Sequence, residues 1–125
     1  MRVLIVDDQR TIRITTSQAV KAEGHEAETA DTGRVALLKL QEDRYDLVLL
    51  DLHLEAEADG LETLSRMLKI APNLPVAICT ANASIATAVD AMRRGAHDYL
   101  EKPFTPEQLR HLLARIEKRG VCISG

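Results

Sequence analysis

Polar side chains able to act together stand at Asp7 and Asp8, Asp51, Thr80 and Lys102. The first three sets each close an apolar run: Val3-Leu4-Ile5-Val6 leads into Asp7-Asp8, Leu47-Val48-Leu49-Leu50 into Asp51, and Val76-Ala77-Ile78-Cys79 into Thr80. Lys102 follows a shorter stretch at Asp98-Tyr99-Leu100. Carboxylates crowded into one low-dielectric space repel one another by several kcal/mol unless a cation intervenes. Hard oxygen ligands with open positions suit Mg²⁺, which binds through one or two carboxylates and keeps room for phosphate oxygens. Three aspartates and one lysine sum to −2, which one divalent ion neutralises. Each residue also has a plainer reading. Asp7-Asp8 could cap a helix start, Asp51 could open a turn, Thr80 could be an ordinary strand-end hydroxyl, and Lys102 a solvated surface amine.

What decides between the readings is the set of elements that must carry these residues. Four apolar residues in a row, without alternation, describe a strand buried on both faces. The runs at 3–6, 47–50 and 75–79 have this form. A polar stretch at 25–30 reads as an edge strand, and 98–100 as a short fifth strand. Helices are expected over 9–23, from 33 to about 42, from Gly60 to about Ala71, over 84–94, and from Pro106 onward. Ile12, Thr16, Ala19 and Val20 should face inward on the first. Val35, Leu37 and Leu38 should do so on the second, and Leu61, Leu64 and Leu68 on the third. Ile85, Val89 and Met92 fall at i, i+4 and i+7 on the fourth, and Leu109, Leu112, Leu113 and Ile116 form a stripe on the fifth. Gly24 and Gly95 are placed to end helices. Asp59 with Glu62, and Thr105 with Gln108, have capping-box spacing. Strand and helix alternate five times, which predicts an α/β fold: a doubly wound, five-stranded parallel sheet in flavodoxin-like order 2-1-3-4-5. Such sheets place their chemistry at the carboxyl ends of the strands, where all the residues named above would meet.

Composition sets outer limits. A chain of 125 residues suits one domain. With Tyr45, Tyr99 and Phe104 its only aromatics, the core must be aliphatic. A net charge of −3 argues against holding nucleic acid or a membrane surface directly. No apolar run approaches membrane-spanning length and no secretory signal is present, so a cytoplasmic location is expected. Cys79 and Cys122 lack metal or redox spacing, and Cys79 reads as core. The segment 120–125 reads as a tail or the start of a linker.

Together these residues resemble the receiver domain of two-component response regulators. The resemblance covers residues 1 to about 119 and rests on Asp7-Asp8, Asp51, Thr80 and Lys102-Pro103. The stretch from Ala88 to Phe104 is most similar to the nitrogen-regulator (NtrC) class, whose receivers precede an ATPase and a DNA-binding domain. By that resemblance the chain is a regulatory phosphoacceptor rather than an enzyme. Asp51 would take a phosphoryl group from a sensor histidine kinase, and Asp8 would bind Mg²⁺ directly. Asp7 would act mainly through water, and the main-chain carbonyl of His53 would complete the ligands. Lys102 would neutralise the phosphoryl oxygens, aimed by a turn at Pro103 with a cis bond. Thr80 would donate its hydroxyl and, with Tyr99 turning inward, would alter the face made by the fourth helix, fifth strand and fifth helix. That face would meet output domains or a second copy of the chain and thereby control transcription.

The sequence departs from the family in one loop. Glu55 stands where the family usually has proline, and Gly60 falls one residue late, so the loop over 55–59 is longer and more acidic. Three other readings compete. A flavin- or nucleotide-binding domain would want a phosphate cradle after the first strand, where Asp7-Asp8 would repel it. An aspartyl phosphatase would want a second Asp where His53 stands. A degenerate receiver would bind partners only, which the intact Asp, Thr and Lys set disfavours.

Overall fold

A computed structural model describes residues 1–52, 60–81 and 84–124, with side chains through residue 118. The elements alternate in the expected order: β1 (Arg2–Val6), α1 (Arg10–Ala22), β2 (Glu26–Ala30), α2 (Gly33–Glu42), β3 (Leu47–Asp51), α3 (Gly60–Ile70), β4 (Val76–Thr80), α4 (Ile85–Arg93), β5 (Asp98–Glu101) and α5 (Pro106–Ser124). All strand pairs are parallel, in the order β2-β1-β3-β4-β5.

Side-chain alternation along the strands builds two cores rather than one. Leu4, Val6, Val48, Leu50, Val76 and Ile78 face α2, α3 and α4, meeting Ala36, Leu40, Leu64, Met67 and Ala91. Val3, Ile5, Leu47, Leu49, Ala77 and Cys79 face the other way, against Val20 of α1 and Leu109, Leu112, Leu113 and Ile116 of α5. Burial on both faces is why β1, β3 and β4 read as unbroken apolar runs. At the edge, β2 is buried only at Ala30.

Local chemistry fixes the helix starts. Thr32 Oγ1 accepts from Val35 N–H at 3.1 Å ahead of α2. Ser84 does the same for Thr87 N–H ahead of α4. Thr105 and Gln108 form a reciprocal capping box: Gln108 N–H donates to Thr105 Oγ1 at 3.1 Å, and Thr105 N–H to Gln108 Oε1 at 2.8 Å. Gly24 and Gly95 take positive φ, the conformation their helix-ending role requires. Gly60 lies so close to the end of β3 that a Cβ there would stand 2.6 Å from Leu52 Cα. Asp59, the other half of the expected capping box at α3, lies outside the described residues, as do His53 and the acidic loop at 55–59. The backbone of α5 continues through 120–124, where the sequence suggested a tail.

Two helices face the sheet differently from the expectation. On α2 the buried residues are Gly33, Ala36 and Leu40, while Leu38 is 51% exposed and Val35 and Leu37 are only partly covered. Gly33 approaches α3 so closely that a Cβ would meet Thr63 Oγ1 at 2.8 Å. Small residues make this contact, so the largest side chains do not mark the buried face. On α4 only Ala91 is buried, and the stripe of Ile85, Val89 and Met92 is exposed by 85%, 43% and 47%. Again an alanine meets the sheet, and the larger apolar residues point outward.

The corrected facing of α2 has a stability signature. Leu40→Ala should lower unfolding free energy by about 2–4 kcal/mol, while Leu38→Ala should change it by less than about 0.5 kcal/mol. Urea denaturation of both variants checks this, and comparable losses would contradict the observed helix orientation.

Candidate functional site

The carboxyl ends of β1, β3 and β5 bring four charged side chains into one pocket. Oxygen atoms of Asp7, Asp8 and Asp51 all lie within 4.8 Å of one another. The Lys102 amine pairs with Asp7 Oδ2 and lies 3.5 Å from Asp51 Oδ2. Asp7 and Asp51 are buried, and the Lys102 side chain is 13% exposed. At this spacing each carboxylate pair repels by about 3–4 kcal/mol at an effective dielectric near 20. One ammonium offsets only part of that. The donor set, all hard oxygen and net negative, fits a divalent cation that prefers carboxylates and water.

Each member is held by the fold. Asp51 is the last residue of β3, set by register beside Cys79 of β4. Lys102 directly follows β5, and its N–H donates to the Thr80 carbonyl at 2.8 Å. The Lys102–Pro103 peptide bond is cis. Asp7 is tied at every polar group. Its N–H donates to the Ala30 carbonyl at 3.1 Å. Its Oδ1 accepts from Gln9 N–H at 2.9 Å, and its carbonyl accepts from Arg13 Nη1 at 2.8 Å. The pair does not cap α1, whose preceding residue is Gln9 with no side-chain cap hydrogen bond; one Asp7 oxygen instead serves the turn leading into the helix, the other the lysine. Gln9 and Arg13 carried no signal in the sequence beyond lying just past the Asp pair.

The two expected switch residues lie on β4 and β5. Thr80, fully buried, ends β4, and strand alternation puts it on the side of the sheet opposite Cys79. Tyr99 pairs in register with Ile78 and packs into the same core as that residue. Its hydroxyl is buried near the Ser84 backbone, short of a well-formed hydrogen bond. Burial pushes its ionisation upward, with the Ser84 backbone opposing and Glu101 adding. His53 lies outside the described residues.

A cavity of about 710 Å³ opens onto the cluster between α1 and the start of α5. Ile12, Thr16 and Ala19 line it from α1, and Phe104, Pro106 and Leu109 from the start of α5 and the segment just before it, with Asp8, Asp51 and Lys102 also in its lining.

Comparisons with known proteins agree with this arrangement. The response regulator receiver domain family matches residues 3–114. The alginate biosynthesis transcriptional regulatory protein AlgB of Pseudomonas aeruginosa is 43% identical over 114 residues, covering 91% of this chain and 25% of that protein. NtrX from Brucella abortus superposes with a TM-score of 0.87 at 37% identity, covering 97% of this chain and 29% of that one. A response regulator from Burkholderia pseudomallei, solved with a phosphorylated aspartic acid, a calcium ion and citrate, gives a TM-score of 0.82 at 29% identity, covering 86% and 63%. The chain belongs to the receiver-domain family of two-component response regulators, and its relatives include regulators of the NtrC class. It spans about a quarter of the length of AlgB.

Cys79, beside Asp51 in the sheet, is no rival nucleophile. Burial, opposed by Lys102 and reinforced by Asp51 and Asp7, pushes its thiol up to about 12. The folded chain thus holds this proton more tightly than the unfolded one, whose thiol titrates near 9.0. The stabilising contribution is present below pH 9 and is lost between about pH 9 and 12. In a Cys122→Ser background, iodoacetamide at pH 8 should leave the folded chain unlabelled and label it readily in urea. Fast labelling of the folded chain would contradict the burial.

Proposed function

We propose that Asp51 accepts a phosphoryl group from the phosphohistidine of a sensor histidine kinase. An Asp51 carboxylate oxygen attacks phosphorus, the phosphorus–nitrogen bond breaks, and its electron pair returns to the imidazole. The product is an acyl phosphate on Asp51. Lys102, already 3.5 Å from Asp51, neutralises the incoming oxygens. Thr80 donates its hydroxyl to the bound group. A Mg²⁺ ion, held by Asp8 and Asp51 directly, by Asp7 through water and by the His53 carbonyl, would supply the remaining charge neutralisation. The calcium ion and phosphorylated aspartate in the Burkholderia relative support this assignment by analogy. The observation that carries the reading is the convergence of Asp7, Asp8, Asp51 and Lys102.

The output lies on another surface. A phosphoryl group can shift a conformational balance only by contacting the two states differently. Thr80 ends β4 and Tyr99 packs into the core that α4 covers, and on α4 Ile85, Val89 and Met92 are exposed. We assign the α4-β5-α5 face to an output domain or a second copy of the chain, with transcription as the controlled process. On this reading the domain is a cytoplasmic regulator, not an enzyme in its own right, and contacts neither nucleic acid nor membrane. Among the described residues no helix is long and apolar enough to cross a membrane.

Incubation with acetyl phosphate and Mg²⁺, followed by intact-mass measurement, should show one phosphoryl adduct. A chelator should abolish it, and so should Asp51→Asn; an adduct surviving in Asp51→Asn would overturn the assignment. Thr80→Ala should still accept the group but lose the accompanying change in oligomeric state or partner affinity. Normal switching by Thr80→Ala would show that its hydroxyl does not carry the signal.

A further inference from the structure

The side chain of Arg13 reaches back from α1 to the main chain of the carboxylate pair, a contact that neither the family resemblance nor the charge count requires. Its N–H closes the first turn of α1 on the Gln9 carbonyl at 3.0 Å, and its Nη1 donates to the Asp7 carbonyl at 2.8 Å. That carbonyl belongs to the Asp7–Asp8 peptide unit, which is planar. Fixing its direction therefore fixes the N–H and Cα of Asp8 as well. The other groups of Asp7 are bound to Ala30, Gln9 and Lys102, and Arg13 binds its carbonyl.

We propose that Arg13 is a positioning residue for the cation site, orienting Asp8 through the Asp7 carbonyl. The inference rests on the reading of Asp7, Asp8 and Asp51 as the ion's ligands. Groups that orient metal ligands without touching the metal commonly change affinity by ten- to a hundredfold. Charge alone predicts the opposite sign. A guanidinium near the pocket repels a cation, so deleting it for charge reasons would tighten binding, and salt would erase the gain.

The two effects separate in a titration of Mg²⁺ alone, followed by calorimetry, with thermal unfolding measured in chelator. Arg13→Met keeps the aliphatic stem but loses donor and charge. It should bind Mg²⁺ about tenfold more weakly, with an ion-free melting temperature close to that of the wild type. Arg13→Lys, which keeps one donor, should fall between the two. Unchanged or tighter binding by Arg13→Met, with wild-type binding intact, overturns the role of Arg13 alone. Failure of the wild type to bind Mg²⁺ overturns instead the cation reading beneath it. Should Arg13→Met not fold, Arg13→Gln provides the same comparison.

Discussion

The pairing of the Lys102 amine with Asp7, 95 positions apart in sequence, is the constraint around which this fold closes. Buried carboxylates within 4.8 Å of each other are costly. They persist because backbone far from them is stable enough to hold them there. β1 supplies Asp7 from a strand flanked on both sides, by β2 and β3. β5 supplies Lys102 from the sheet edge, anchored by its N–H on the Thr80 carbonyl. The cluster is therefore a property of the whole sheet: displacing either strand would leave a buried charge without its partner, which typically costs more than the pair contributes.

The two cores divide the labour around that rim. α1 and α5 cover one face and leave a cavity whose lining includes Asp51. α2, α3 and α4 cover the other face, which takes in Tyr99 and, by alternation, Thr80. That cavity and the exposed face of α4 thus belong to opposite sides of the sheet. β4 and β5 carry residues facing both sides: Ile78 and Tyr99 toward one, Cys79 and Leu100 toward the other.

How legible was this in the sequence? Strands buried on both faces leave an unmistakable trace, because every residue from Val3 to Val6 and from Leu47 to Leu50 must be apolar. The α5 stripe was equally plain, since Leu109, Leu112, Leu113 and Ile116 are both large and buried. Helix facing failed where small residues make the contact. Ala36 and Ala91 are fully buried while Leu38 and Ile85 are exposed. Periodicity weighted by size picks the wrong side in such helices, because close backbone approach favours residues with little to weigh. The acids and Lys102 were legible because each ends a strand. Arg13 was not, because an arginine early in a helix has the same sequence appearance whether it meets solvent or a carbonyl.

The exposed stripe on α4 is the feature least explained by stability. Isolated exposed apolar residues are ordinary, but three on one helix face form a patch, and patches mark contact surfaces. Its position follows from the packing. α4 is anchored by Ala91 against the sheet and by Arg94, which donates to Ser65 Oγ at 3.2 Å on α3. Its first turn rests on the Ser84 cap, beside the buried Tyr99 hydroxyl. Tyr99 and Lys102 belong to one short strand and the residue after it, so β5 joins the carboxylate pocket to the neighbourhood of the Ser84 cap. α4 meets the sheet through one buried residue, Ala91, where α5 does so through Leu109, Leu112, Leu113 and Ile116.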